Sequence, residues 1–257
     1  MIFINKIITQ TIKKVPEITI YFWAIKLLTT AMGEVTSDYL AHQLHPIVAV
    51  CLGGIGFVFA LLLQFSVRRY IPWIYWLTVS MVAIFGTMVA DVLHVGFGIP
   101  YIVSTMFFGI SLAIIFFVWY KSEKTLSIHS IYTFHRELFY WATVVTTFAL
   151  GTAVGDMTAS TMGLGYFASG ILFLLFIGIP FLSYKMFKAN SILMFWIAYI
   201  LTRPLGASFA DWIGRSKNLG GLGFGTGIVS LFLIGIIVLF VTYITVRNEN
   251  HRESKSS

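Results

Sequence analysis

Residues 228–246, IVSLFLIGIIVLFVTYITV, form an unbroken apolar run of membrane-crossing length, and nothing else in the chain restricts its fold as strongly. In hydrocarbon every backbone N–H and C=O must be satisfied within the protein, which leaves only helices and closed barrels. A barrel strand needs an alternating segment of about ten residues, and a continuous run does not supply one. With this one, apolar runs occupy residues 18–41, 46–66, 73–94, 100–120, 138–157, 163–184, 193–212 and 223–246. The sequence therefore predicts an all-α, polytopic membrane protein with eight transmembrane helices. Hydrophobic residues make up 58% of the chain and charged residues 11%, which excludes a soluble domain, and the short loops leave no room for a separate one.

The basic residues set the expected orientation. Lysine and arginine fall at residues 6–14, 68–69, 121–136, 185–188 and 247–255, whereas the opposite loops hold only Arg215 and Lys217. By the positive-inside rule both termini are expected to be cytoplasmic. The net charge of +7 is then a topology and lipid-headgroup signal, with no nucleic acid as partner. Residues 1–17 read as a cytoplasmic amphipathic lead-in, since Lys13 and Lys14 follow the apolar run, the wrong order for a signal peptide. The single cysteine, Cys51, excludes an intramolecular disulfide and a cysteine-based zinc cluster.

An internal repeat organises the chain. The segments FWAIKLLTTAMGEVTSD, YWLTVSMVAIFGTMVAD, YWATVVTTFALGTAVGD and FWIAYILTRPLGASFAD align without gaps on an aromatic-tryptophan pair. Counting from Trp23, Trp76, Trp141 and Trp196, offset 10 is always glycine (Gly33, Gly86, Gly151, Gly206). Offset 14 is small (Ser37, Ala90, Gly155, Ala210), and offset 15 is aspartate. Asp38, Asp91, Asp156 and Asp211 are all the aspartates the chain has, so composition alone does not explain the register. Each copy opens an odd-numbered span and is followed by an apolar even span. The organisation is thus a lead-in at 1–17, repeats at 18–70, 71–137, 138–190 and 191–246, and a cytoplasmic tail at 247–257. The four repeats run parallel.

These residues resemble a bacterial integral membrane family of four tandem two-helix repeats, each with a characteristic tryptophan, catalogued as a repeat of unknown function. The resemblance implies an architecture and a place in the inner (cytoplasmic) membrane of a bacterial cell, and no substrate.

Helical spacing groups the side chains that carry chemistry. Offsets 10 and 14 lie one turn apart in the small-xxx-small pattern of close helix contacts, which marks Gly33, Gly86, Gly151 and Gly206 as packing residues. Offsets 11 and 15 are likewise a turn apart, so Glu34 and Asp38 share a face. At about 3.6 residues per turn, Lys26 at offset 3 and Arg203 at offset 7 fall in the same arc as the acids. The even spans contain no acid or base. This predicts odd helices at the centre and even helices facing lipid. The aspartates lie about 22 Å beyond the tryptophans, which are expected to anchor in the inner aromatic belt.

Five central acids, Glu34, Asp38, Asp91, Asp156 and Asp211, face two counter-charges, Lys26 and Arg203. Burying the excess is costly unless protons or a cation neutralise it. Clustered carboxylates exchange protons for a cation readily. Thr87 and Thr152 offer auxiliary oxygens and His94 a nitrogen, a donor set suited to a hard divalent cation such as Mn²⁺ or Mg²⁺. His42 and His45 flank the same outer face. The expected function is a non-enzymatic secondary transporter or exporter of a small cation coupled to protons, with the metal as substrate and no cofactor. A membrane-embedded enzyme or redox protein is the alternative class, although HExxH, a nucleotide loop and haem-spaced histidines are all missing. An ion channel or an organic-cation carrier shares the remainder. The sequence is compatible with a homo-oligomer without specifying one.

Overall fold

The computed structural model describes residues 13–253, and over this range the chain is all-α, without strands. Eight long helices follow one another: α1 Ile20–Gln43, α2 Pro46–Ser66, α3 Pro72–Asp91, α4 Tyr101–Glu123, α5 Phe134–Asp156, α6 Gly165–Phe187, α7 Ser191–Gly214 and α8 Thr226–Glu253. Most of the lead-in, residues 1–12, lies outside the described residues. Helix starts carry ordinary local signals. The Thr19 and Thr133 hydroxyls accept from the N–H groups of Phe22 and Arg136 at 3.3 Å, Asn190 caps α7, and proline opens α2 and α3. Lys124 and Lys188, both in the left-handed region, close α4 and α6.

Seven of the eight helices are long and apolar enough to cross a bilayer. The exception is α1, whose apolar character is diluted by Lys26, Glu34 and Asp38. Over their most apolar stretches, α3, α5 and α7 have 56%, 61% and 56% of residues buried, against 17–22% for α2, α4, α6 and α8. The odd helices therefore form the interior. They close a ring in which α1 packs on α3, α3 on α5, α5 on α7 and α7 on α1. Outward faces such as Ile47, Leu52, Phe59, Phe107, Ile114 and Phe181 expose large apolar side chains, as a bilayer environment requires.

The repeat of the sequence is not the packing unit. Each even helix packs chiefly on the odd helix of the following repeat: α2 on α3, α4 on α5, α6 on α7, with α8 returning to α1. The last repeat thus covers the first and closes the ring.

The glycine of the repeated motif makes the same step around this ring in every repeat. A Cβ on Gly33 would overlap Ala83, one on Gly86 would meet Phe148, one on Gly151 would overlap Arg203, and one on Gly206 would overlap Thr30. Offset 10 of each repeat thus sits against offset 7 of the next. At offset 14, a Cβ on Gly155 would lie 3.8 Å from Pro204 of the neighbouring helix, ordinary van der Waals contact.

The tryptophans require a correction. Trp76, Trp141 and Trp196 are 2–3% exposed and Trp23 is half-buried, so they do not line a lipid-facing belt. Each pairs instead with the aromatic residue that opens the preceding repeat: Phe22 with Trp76 at 5.8 Å, Tyr75 with Trp141 at 5.6 Å, Tyr140 with Trp196 at 6.3 Å and Phe195 with Trp23 at 5.6 Å between ring centres. With the hydrogen bond between the Tyr75 and Tyr140 hydroxyls, these rings make an aromatic floor at one end of the bundle.

Beside that floor the sequence reading overlooked Glu137, at the start of α5. It is fully buried, receives Lys14 Nζ at 2.5 Å and Gln64 Nε2 at 2.8 Å, and so ties the segment before α1 and the end of α2 to α5. Lys14→Met should cost about 3 kcal/mol in unfolding experiments, because it strands a buried carboxylate. Adding Glu137→Gln should recover much of that loss. Equal stability of wild type and Lys14→Met would show that the clasp carries no weight.

Candidate functional site

Above the aromatic floor the fourfold pattern breaks at offset 7, where Thr30, Ala83, Phe148 and Arg203 occupy equivalent places. Arg203 is fully buried. Its Nη2 has Glu34 Oε2 at 2.6 Å, Thr152 Oγ1 at 2.7 Å and Thr87 Oγ1 around it, three acceptors that share its two hydrogens, and its Nη1 donates to the Thr30 carbonyl at 3.4 Å. Three of the four residues at offset 11 thus converge on one guanidinium. The fourth, Ala207, lies one turn along the same helix as Arg203 and is small. One guanidinium nitrogen thus gathers the three side chains while the other reaches the Thr30 carbonyl, and Nε is buried without a hydrogen-bond partner.

Two expectations change here. Thr87 and Thr152 are engaged by Arg203, so they are not free oxygens for a cation. Lys26, the other expected counter-charge, meets no carboxylate. Its Nζ is buried without a hydrogen-bond partner and lies 3.8 Å from the Phe148 ring centre and 4.2 Å from that of Tyr199. It belongs to the aromatic layer below Arg203, with the faces of Phe148 and Tyr199 as its neighbours.

The aspartates lie at the opposite end from the floor. Carboxylate oxygens of Glu34, Asp156 and Asp211 come within 4.8 Å of one another. Arg215, the residue that follows α7, bridges Asp211 at 2.8 Å and Asp38 at 3.0 Å. Burial opposes the charge of Arg215, but the Asp211 and Asp38 carboxylates override it and raise its proton affinity above the ordinary arginine value. Asp91 is half-buried and takes part in no ion pair among the described residues. The site thus has five acids against Arg203 and Arg215, still an excess of three, although one of the two bases differs from expectation.

His94 does not join the acids. Its Nδ1 lies 3.0 Å from the Ile99 carbonyl and its Nε2 3.2 Å from Ser104 Oγ, while the ring packs on Tyr101. The cause is local: after Asp91 the helix widens into a π turn, Val92–Gly96, which redirects the following side chains. Asp156 is followed by the same device at Met157–Thr161, whereas α1 and α7 continue as α-helix past their aspartates. His42 Nδ1 lies 2.6 Å from the Asp38 carbonyl. It lines, with Asp38, Arg215 and Lys217, a cavity of about 520 Å³ at this end.

The fold and this centre define a multi-pass helical membrane protein of four tandem repeats whose interior carries a charged cluster. The sequence matches the family described as Repeat of Unknown Function (DUF347) at residues 21–70, 74–125, 139–190 and 194–249, and the chain belongs to that family. Neither a curated protein nor a solved structure matches the chain significantly.

Proposed function

We propose that this protein is a bacterial inner-membrane carrier for a small hard cation, a divalent metal of the Mn²⁺ type, exchanged against protons. In this reading all eight long helices span the bilayer, both termini are cytoplasmic, and the aspartate end opens outward. The observation that carries it is the approach of the Glu34, Asp156 and Asp211 carboxylates within 4.8 Å, in a centre with three more acids than bases. Such a cluster demands neutralisation, and an all-oxygen donor set favours a hard ion. Asp38 and Asp91 extend the acidic lining, and Arg215 holds two acids at its rim. Arg203 forms the base of the site, and the aromatic floor blocks the far side. A buried arginine across the axis supports a carrier, which must change conformation, over an open channel.

Proteoliposomes holding the purified chain provide the test. Imposing a Mn²⁺ gradient should drive proton movement in the opposite direction, and apparent affinity should rise with pH because the metal displaces protons. Asp156→Asn and Asp211→Asn keep shape while removing charge, and should lower the flux by about tenfold or more while the protein remains folded. Glu34→Gln should do the same. If all three variants transport at the wild-type rate, the acids are scaffolding and the carrier reading fails.

A further inference from the structure

A cavity and a groove unrelated to the acidic centre adjoin at the aromatic end. The cavity, about 560 Å³, is lined by Lys13, Arg69 and Arg247 together with Glu17, Tyr21 and Tyr70. Lys13 is held by Glu17 at 2.7 Å. Arg69 and Arg247 are exposed and form no ion pair among the described residues, and Arg247 lies over the Tyr21 ring at 5.5 Å. The groove, about 220 Å³, is almost wholly apolar and runs between α3 and α8 past Trp73, Met81, Ile84, Ile234, Ile237 and Val241. Trp76 lines both spaces.

The helix α8 makes them one track. Ile234, Ile237 and Val241 border the groove, and Ile244, Arg247 and Asn248 border the cavity, at successive turns of one face. Tyr70 and Trp76, both on the cavity wall, carry buried polar atoms, the Tyr70 hydroxyl and the Trp76 indole N–H. A basic, donor-rich chamber thus continues into an apolar channel that faces the hydrocarbon.

We infer that this track binds an anionic phospholipid, its phosphate headgroup beside Arg69 and Arg247 and one acyl chain along the α3–α8 groove. Charge selects the headgroup, and the groove selects a lipid over a free phosphate. The site also sits on the seam where α8 of the last repeat packs against the first helices, so a bound lipid would brace ring closure. The inference rests on the fold and is independent of the transport reading.

Native mass spectrometry of the full-length chain, released from detergent after incubation with phosphatidylglycerol or phosphatidylcholine, tests it directly. The wild type should retain phosphatidylglycerol selectively. The double variant Arg69→Gln/Arg247→Gln, which alters only exposed side chains, should bind it about thirtyfold more weakly. Ile237→Trp, which fills the groove, should weaken lipid retention while leaving the basic chamber unchanged. Equal retention of both lipids, or an unaffected double variant, would overturn the assignment. So would thermal stabilisation by inorganic phosphate that matches that of the lipid, since the chamber would then be a free-phosphate site.

Discussion

Replacing Arg203 with methionine should lower the stability of the folded chain by about 3–5 kcal/mol, the usual cost of removing one partner from a buried ion pair. The reason lies in what the guanidinium holds. Glu34 from α1, Thr87 from α3 and Thr152 from α5 all meet Arg203 of α7, so one side chain joins the four central helices. Removing it leaves the Glu34 carboxylate buried without a counter-charge and three oxygens without their donor. Arg203→Lys should rescue only part of the loss, because one ammonium nitrogen cannot serve both the cluster at Nη2 and the Thr30 carbonyl that Nη1 reaches. The double variant Glu34→Gln/Arg203→Met should recover most of the stability yet remain inactive in cation flux, which separates the scaffold role of the pair from its role in the site. Chemical unfolding in detergent micelles, followed by tryptophan fluorescence, measures all three. An Arg203→Met protein as stable as wild type would show that the ring closes without this junction.

Valine at Gly33 or Gly206 should destabilise the bundle by about 1–3 kcal/mol or prevent its assembly, the range expected for overpacking a tight contact. At Gly33 the obstructing atoms include the Ala83 backbone, 2.7 Å from the position a Cβ would take, so a helix and not merely a side chain must move. At Gly206 the Ala31 amide nitrogen stands 3.1 Å away, on the seam between the last and first repeats. The control is built into the chain. Gly109, Gly178 and Gly235 on the even helices have no neighbour within 4 Å, and alanine there should be neutral or slightly stabilising through its better helix propensity. If motif and non-motif glycines respond alike, close helix approach is not what the motif encodes.

The candidate site was partly legible. The repeat register isolated Glu34 and the four aspartates, because a fixed offset on parallel helices brings like residues to like depth. Arg203 also came from the sequence, as a base in the central arc. Arg215 did not: it follows the last residue of α7, and a charged residue at a helix end is ordinarily solvated, so nothing in its setting marked it as the bridge between Asp38 and Asp211. His94 was misplaced because a regular helix was assumed past Asp91, whereas the chain there is π-helical. Glu137 was passed over because it lay just outside the assumed span 138–157 and its partners, Lys14 and Gln64, are distant in sequence.

What the sequence alone determined was helicity, the repeat and the face each odd helix turns inward. Hydrocarbon permits few backbone solutions, and a period of 3.6 residues assigns every side chain an azimuth. Only the tertiary structure decided which helix answers each face. It paired every even helix with the following repeat, turned the tryptophans inward as interlocking rings, and set Lys26 among aromatic rings while Arg203 took the centre. An azimuth leaves the neighbour unspecified, and a long basic side chain can reach more than one layer. The choice falls to the partners that other helices supply: Glu34, Thr87 and Thr152 for Arg203, and Phe148 and Tyr199 for Lys26.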